Sequence, residues 1–230
     1  MAKKKLPASM VPVTFPAHRC IVETCSTTLA ELFESNGNGT SPIPIDNVSP
    51  DIFRLLLSYI YGMKISNEEM KSHAREIIDV ADRFGVVNLK LEAESFIVED
   101  TTFTTENVKE LLLYAESKNC ALLKEAAMDY IIENKADIMD DVSFVDAPGT
   151  MLNDMLVAFI RSEKEDGDVG GSDENKFASM RVSELRKRAH ENGLNVDGSR
   201  ETLISAIKAV QELEAEVGSS EDTEESDEEP

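Results

Sequence analysis

The sequence predicts a mostly helical α+β protein with two folded units of unequal size. Apolar residues recur at three- and four-residue spacing through most of residues 50–160, which is the period of amphipathic helices. Ile43 and Ile45 alternate with prolines, a pattern that favours a short edge strand. A glycine- and acid-rich stretch over 163–175 then separates off a second, shorter helical pattern over 176–212.

Start and stop signals place two helices between residues 49 and 85. Ser49 is an N-cap residue and Pro50 fits the first helical position, and the helix that they begin is expected to end at Gly62. Ser66 and Glu69 form a capping-box pattern at the start of the next helix.

Three further helices are predicted over residues 104–160. Thr104 or Thr105 is the expected N-cap of the first, and Asn119 is the expected N-cap of the second. The third helix follows the turn at 148–150. Its apolar residues at helical spacing are expected to be buried, and they are Leu152, Met155, Leu156, Phe159 and Ile160.

Charge is unevenly distributed along the 230 residues, whose net charge is −22. Residues 163–175 hold six acidic residues, one basic residue and three glycines, a composition that predicts a flexible linker. Residues 176–208 hold seven basic and four acidic residues, so a basic segment stands within an acidic chain. Residues 213–230 are acidic and poor in apolar residues, which predicts a disordered tail.

Residue usage argues against catalytic and metal sites. The chain has no GxSxG, P-loop or HExxH pattern, so the sequence predicts a protein that is not an enzyme and that uses no cofactor. His18, Cys20 and Cys25 lie close together but lack a fourth ligand, so no metal site is predicted. His18 is expected to be a hydrogen-bonded structural histidine.

The cysteines and the N-terminal residues indicate the compartment. Cys20, Cys25 and Cys120 form no CxxC pair and are odd in number, which predicts buried thiols in a reducing compartment. The start, MAKKKLPASMVPV, lacks the apolar run of a signal peptide, and no apolar run is long enough to span a bilayer. The sequence therefore predicts the nucleus or the cytoplasm, with no membrane partner.

Several segments of the first 162 residues resemble the BTB/POZ family. Residues 16–19 (PAHR) resemble its AH(K/R) turn, and residues 43–65 (IPIDNVSPDIFRLLLSYIYGMKI) resemble its strand–helix stretch. Residues 74–97 resemble its two closing helices. Residues 104–134 resemble the helix pair that follows the domain in ubiquitin-ligase adaptors.

This resemblance implies a BTB/POZ-like domain over 1–100 and a helical extension over 101–162, with a cullin and a ubiquitination substrate as protein partners. About fifteen residues precede Ala17, where the family normally has a helix and a strand hairpin that build its dimer, so a monomer or weak dimer is predicted. The loop after Phe33 (ESNGNGTSP) lacks the hydrophobic-x-acid element of many cullin-binding members. A function without cullin binding therefore remains an alternative.

Residues 180–208 resemble the SAP module, a helix–extended-turn–helix motif associated with DNA and sometimes RNA. The resemblance depends on the apolar positions of both helices and on two glycines, Gly193 and Gly198. It implies a SAP-like module over 176–212 that binds DNA or RNA.

The same module contains the candidate site. Ser199 is expected to cap the second helix, so that backbone N–H groups at its start are available to a phosphate. The predicted nucleic-acid-binding residues are Arg181, Arg186, Lys187, Gly198, Ser199 and Arg200. Weak sequence preference is expected because none of these side chains is an obvious reader of base edges. The alternative is a basic helix face that is only solvated.

Two functions agree with these patterns. The first is a substrate adaptor of a cullin-type ubiquitin ligase, placed on chromatin or RNA by the SAP-like module. The second is a nuclear scaffold or transcriptional regulator without a ubiquitin role. The SAP-like module favours the nucleus in both. The acidic tail over 213–230 is expected to compete with nucleic acid for the basic module.

Overall fold

The structure is a computed structural model, and it describes residues 13–36, 41–145, 147–165, 177 and 180–221. The chain divides into two compact units, Met1–Ala93 and Glu94–Pro230. In chain order the described helices are α1 (Arg19–Cys25), α2 (Thr27–Ser35), α3 (Pro50–Ile60), α4 (Asn67–Phe84), α5 (Val87–Asp100), α6 (Val108–Lys118), α7 (Ala121–Glu133), α8 (Lys135–Asp141), α9 (Gly149–Glu165), α10 (Val182–Glu191) and α11 (Arg200–Glu221). The predicted mostly helical fold is confirmed.

The predicted edge strand is absent. Residues 41–49 form neither helix nor strand, so the strand expected at Ile43 and Ile45 is wrong. Pro42 and Pro44 remove backbone donors on both sides of Ile43, and the described ranges contain no strand that could pair with it.

In the first unit, α3 and α4 pack on each other and on α1 and α2. The apolar face predicted for α4 is buried, and its members are Ile77, Ile78, Ala81 and Phe84. Both predicted caps are formed. The Ser49 side chain accepts a hydrogen bond from the Ile52 N–H, and Ser66 and Glu69 form a reciprocal capping box.

A buried serine joins α2 to α4 in the first unit. The Ser26 hydroxyl donates to the Phe84 carbonyl at 2.5 Å and accepts from the Leu29 N–H at 3.1 Å. It therefore caps the start of α2 and satisfies a carbonyl at the end of α4. Gly85 follows with φ +68°, which ends α4 in the left-handed conformation that glycine favours.

The thiols are less buried than predicted. Cys120 is buried, but Cys20 and Cys25 are exposed. Both exposed cysteines lie on α1, a helix of seven residues on which Val22 is the buried residue. A helix this short packs only one side against its neighbours, and Cys20 and Cys25 lie outside that side. The prediction of buried thiols is therefore wrong for these two.

In the second unit the predicted N-cap of α7 is wrong. Asn119 instead ends α6 with φ +52°. The cap of α7 is the carboxylate of Glu94, whose Oε1 accepts from the N–H groups of Leu122 at 2.7 Å and Leu123 at 3.1 Å. Thr104 takes part in the turn before α6 by exchanging hydrogen bonds with Asn107, whereas Asn107 occupies the N-cap position.

The buried face of α9 also differs from the prediction. Leu152 and Leu156 are exposed, and the side chain of Ile160 lies outside the described residues. The residues that pack into the core are Met151, Met155, Ala158 and Phe159. Apolar residues lie on several sides of this helix, so periodicity alone could not select the side that packs on α7.

Two predicted boundaries shift. Residues 213–221 continue α11, so the predicted disordered tail is wrong for them, and residues 222–230 lie outside the described residues. Good helix formers (Leu, Glu, Ala, Glu) begin this stretch, and extending a formed helix is easier than starting one. Residues 163–165 end α9, and the rest of the predicted linker, 166–175, is not described.

The C-terminal module formed by α10 and α11 has a core of its own. Its buried members are Phe177, Leu185, Ala189, Leu203 and Ile207. The apolar positions predicted for both helices are therefore confirmed, and Phe177 is an addition from before α10. The helical extension has a separate core, formed by Val108, Leu112, Ala127, Met128, Ile131, Ile138, Met151 and Ala158.

Candidate nucleic-acid interface

The two glycines of the C-terminal module hold conformations that other residues avoid. Gly193 has φ +65°, and Gly198 has φ +135°. A Cβ atom at Gly198 would lie 3.4 Å from the Thr202 side chain. Ser199 accepts a hydrogen bond from the Thr202 N–H at 3.3 Å, so the predicted cap of α11 is confirmed. The helix–extended-turn–helix geometry is thus present.

Arg186 of α10 lies against a buried carboxylate. Its Nη2 donates to Oε2 of Glu94 at 2.7 Å, with the Glu94 side chain 0% exposed and the Arg186 side chain 12% exposed. The other carboxylate oxygen of Glu94 caps α7. One buried glutamate therefore joins the α7 N-terminus to α10, and it neutralises a predicted phosphate contact.

Glu125 of α7 is a second point of attachment. Both of its carboxylate oxygens accept from the Val182 N–H, at 3.1 and 3.2 Å, which satisfies the first N–H of α10. Arg200 Nη1 lies 3.3 Å from Oε1, and Arg181 Nε lies 3.6 Å from Oε2. Arg181 Nη1 reaches Asp129 at 2.6 Å.

The comparisons with known proteins agree with this geometry. A family profile described as BTB/POZ domain matches residues 10–101, and one described as SAP domain matches residues 176–209. The chain contains a BTB/POZ domain and a SAP domain. The SAP domain comprises α10, the glycine turn and the first part of α11.

Curated relatives with BTB or POZ in their names match more than half of the chain. TD and POZ domain-containing protein 1 of Mus musculus is 26% identical over 128 residues, which are 55% of this chain and 34% of that protein. BTB and MATH domain-containing protein 42 of Caenorhabditis elegans is 23% identical over 159 residues, 66% of this chain and 38% of that protein. A BTB/POZ domain-containing protein of Arabidopsis thaliana is 28% identical over 134 residues, 56% of this chain and 40% of that protein. The chain thus spans between a third and two fifths of their lengths.

Two BTB/POZ motifs meet in the first unit. The Tyr61 hydroxyl accepts a hydrogen bond from the His18 backbone N–H at 2.7 Å and lies 3.0 Å from His18 Nδ1. The expected structural role of His18 is confirmed, because it joins the PAHR turn to the YIYG end of α3. Both side chains are partly accessible to solvent.

The remaining predicted residues of the SAP domain are more accessible. Lys187 is exposed, and Gly198 and Ser199 are half-buried. Arg200 is held on two sides, since its Nη2 also donates to the Phe177 carbonyl at 3.3 Å. The structure therefore engages Arg181, Arg186 and Arg200 in contacts within the chain and leaves Lys187 facing solvent.

Burial dominates the electrostatics of Glu125. It raises the pKa of Glu125 above the usual glutamate value, although the charges of Arg181 and Arg200 and the Val182 hydrogen bond lower it. Lys124 behaves differently. Burial lowers its pKa, but hydrogen bonds to Asp154 and Glu116 and their charges outweigh burial and raise it.

The SAP domain and the helical extension line an open cavity of about 570 Å³. Met128 and Ala158 contribute apolar lining, and Ser199, Arg200 and Ile204 line it from the start of α11. The α11 N-terminus, predicted to face a phosphate, therefore borders this cavity.

The carboxylates that contact the SAP domain could not be predicted from the sequence. Glu94, Glu125 and Asp129 lie on helices whose sequences show only an amphipathic pattern. Their one sequence signal is that Glu125 and Asp129 stand four residues apart and share a helix face. Nothing in that spacing indicates partners more than fifty residues away.

No described helix is long and apolar enough to cross a membrane. Among the residues that the structure describes, no group of three or more His, Cys, Asp or Glu side chains is arranged to hold a metal ion.

Proposed function

We propose that this protein is a non-enzymatic adaptor whose BTB/POZ domain binds protein partners and whose SAP domain binds DNA or RNA. The observation that carries the proposal is the presence of these two domains in one chain. More specifically, we propose that the BTB/POZ domain and helical extension recruit a cullin-type ubiquitin ligase. The SAP domain then places that ligase on nucleic acid in the nucleus.

The nucleic-acid part of the proposal is supported by the SAP geometry. Gly198 allows the chain to enter α11 closely, and the α11 N-terminus has the polarity that favours an anion. The predicted contacts are Arg181, Arg186, Lys187, Gly198, Ser199 and Arg200. Because these groups suit phosphates, we expect binding to duplexes of different sequence with similar affinity.

A salt titration tests this part. With about four phosphate contacts, the affinity of the full chain for a 20-base-pair duplex should fall roughly a hundredfold for a fourfold rise in salt. Lys187→Ala should weaken binding to every duplex and reduce the salt slope by about one. Lys187 is the best first substitution because it is exposed and its loss leaves the contacts of the three arginines intact. Binding that does not depend on salt would contradict the proposal.

The cullin part has one competing function. A nuclear scaffold or transcriptional regulator without a ubiquitin role is favoured by the loop after Phe33, whose sequence lacks the hydrophobic-x-acid element. Residues 37–40 of that loop lie outside the described residues. Direct binding of a purified cullin N-terminal domain to the full chain separates the two functions.

The matched control for that experiment lies in the SAP domain. Arg188→Ala removes a partly exposed i,i+4 pair with Glu184 and a contact with the Phe177 ring, and it leaves the first unit unchanged, so cullin binding should persist. No binding at micromolar concentrations would favour the scaffold. Sedimentation of the same protein tests the predicted monomer or weak dimer, which depends on residues 1–12, outside the described residues.

A further inference from the structure

Carboxylates of α5 and α7 occupy the positive groups that the SAP domain would offer to a phosphate. Glu94 pairs with Arg186 at 2.7 Å, Glu125 with Arg200 at 3.3 Å, and Asp129 with Arg181 at 2.6 Å. A carboxylate, like a phosphate, presents anionic oxygens to guanidinium groups. Three of the four basic side chains predicted to bind nucleic acid are therefore already bound to anions.

We propose that the carboxylates of α5 and α7 are intramolecular competitors for the nucleic-acid-binding surface of the SAP domain, which binds DNA or RNA only after it leaves Glu94, Glu125 and Asp129. This inference rests on the proposed nucleic-acid binding and adds its regulation. The closed state is the arrangement in the structure, and the open state frees Arg181, Arg186 and Arg200 together.

The two arrangements exclude each other. Arg186 and Arg200 are mostly buried, and the start of α11 faces a cavity of about 570 Å³. A cavity of that size suits a small molecule. A duplex cannot enter it, so phosphates reach Arg200 only when the contact with α7 is broken, and they reach Arg186 only when its pair with Glu94 of α5 is broken.

The contact can open without unfolding either partner. The core of the SAP domain and that of the helical extension are separate apolar clusters. Hydrogen bonds and ion pairs of Glu94 on α5 and of Glu125 and Asp129 on α7 hold the SAP domain to these helices, so opening breaks these polar contacts. Each cluster keeps its own buried residues in the open state.

Two features make the closed state weak enough for a polyanion to displace. The Nε–H of Arg186 is buried without a hydrogen-bond acceptor among the described residues. An unmet buried donor disfavours the arrangement that contains it. Burial also raises the pKa of Glu125 in spite of two nearby arginines, so the charge of this carboxylate is incompletely compensated.

The test is Glu125→Lys in the full chain, assayed with a 20-base-pair duplex DNA. The new cation faces Arg181 and Arg200 and should open the contact by like-charge repulsion. The apparent affinity of a protein that is mostly closed is reduced by its open fraction. We therefore expect Glu125→Lys to bind the duplex about tenfold more tightly than wild type, a size typical of coupling between sites.

The control has the same change in charge on the same helix. Glu133 is exposed on α7 and takes part in none of the contacts with the SAP domain described above. Glu133→Lys should tighten binding much less than Glu125→Lys. Glu125→Ala with Glu133→Ala repeats the comparison without added cations, in case a lysine at position 125 prevents folding. Faster hydrogen exchange at the Val182 N–H reports opening without nucleic acid.

Each outcome decides one of the two proposals. If Glu125→Lys binds more tightly than Glu133→Lys and exchanges faster at Val182, the competition is supported. If both variants bind like wild type, the competition is overturned, while nucleic-acid binding stands. If no variant binds although Val182 exchanges faster in Glu125→Lys, then nucleic-acid binding itself has failed, and the competition fails with it.

Discussion

Among the described ion pairs, those of the first unit are local, whereas the second unit has pairs over long sequence separations in addition to local ones. In the first unit, Arg19–Glu23, Asp51–Arg54, His73–Glu76 and Asp82–Lys90 join residues at most eight positions apart. In the second unit, Arg186 lies 92 positions from Glu94, and Arg200 lies 75 positions from Glu125. A local pair forms wherever its own helix forms. A long-range pair forms only when separate segments pack, so it reports tertiary structure.

One pair from each unit shows how burial changes the effect of an ion pair on stability. The Asp51 side chain is 77% exposed beside Arg54, whereas the Glu94 side chain is 0% exposed beside Arg186. Exposed pairs contribute roughly 0–1 kcal/mol. Removing one partner of a buried pair costs about 3–5 kcal/mol, because the other charge stays buried without compensation. The loss of Glu94 is therefore expected to cost much more stability than the loss of Asp51.

The largest expected effect is that of Glu94→Ala. It removes the cap of α7 and leaves Arg186 without its carboxylate, so the free energy of unfolding of the second unit should fall by about 3–5 kcal/mol. Asp51→Asn is the matched change in the first unit and should cost less than about 1 kcal/mol. Hydrogen exchange measured on peptides of each unit separates the two effects.

Glu94→Gln separates the two roles of Glu94, which caps α7 and pairs with Arg186. Glu94→Gln keeps an oxygen that can accept from the Leu122 and Leu123 N–H groups, so it should lose less stability than Glu94→Ala. Equal losses for Asp51→Asn and Glu94→Ala would contradict the contrast between exposed local pairs and buried long-range pairs.

Gly62 in the first unit and Gly198 in the second also differ in how much space surrounds them. Gly62 in the first unit has φ +80° with no atom within 4 Å of an added Cβ, whereas Gly198 in the second has φ +135° and Thr202 at 3.4 Å. We expect Gly62→Ala to cost about 1 kcal/mol and Gly198→Ala about 1–3 kcal/mol. Thermal denaturation with the exchange of each unit's peptides checks the order, and a costlier Gly62→Ala would reverse it.

Local chemistry could be predicted from the sequence. The Ser49 cap, the Ser66–Glu69 capping box and the Ser199 cap are each decided by residues within three positions, and all three form. The two domains were likewise recognisable, because their motifs are runs of neighbouring residues. Predictions of this kind need no knowledge of tertiary packing.

Long-range packing could not be predicted. Asn119 has a favourable N-cap side chain, but a carboxylate from α5 supplies the cap of α7. The predicted phosphate contacts Arg186 and Arg200 were correctly seen as basic, yet their carboxylate partners lie on other helices. The strand at Ile43 failed for a similar reason, since a strand requires a partner that no local pattern reveals.

Deletion of the acidic tail, residues 213–230, tests whether acidic residues outside α5 and α7 also compete with nucleic acid for the SAP domain. Along α11 the rise is about 1.5 Å per residue, so position 213 lies about 20 Å from Arg200. The Debye length is about 8 Å at physiological salt, so acids on that part of α11 are largely screened from Arg200. Removal of residues 213–230 should therefore tighten duplex binding less than twofold, well below the effect of Glu125→Lys. A larger gain would support masking by the tail.

The smallest expected effect is a difference in the sign of pH dependence between Glu69 and Glu125. Hydrogen bonds from the Ser66 side chain and backbone lower the pKa of Glu69. Its contribution to the stability of the first unit is present above the usual glutamate pKa and is lost as the pH falls through the lowered folded-state value. Burial raises the pKa of Glu125, so the folded second unit holds that proton more tightly than the unfolded chain does.

For Glu125 the sign is therefore reversed. Its favourable contribution is complete below the usual glutamate pKa and is lost as the pH rises through the raised folded-state value. Acidification from pH 7 should lower the stability of wild type relative to Glu69→Gln in the first unit, and should raise it relative to Glu125→Gln in the second. Hydrogen exchange at several pH values, corrected for intrinsic rates and read on peptides of α4 and α7, measures both differences. If both changed in the same direction, burial would not control the titration of Glu125, and its charge would be fully compensated by Arg181 and Arg200.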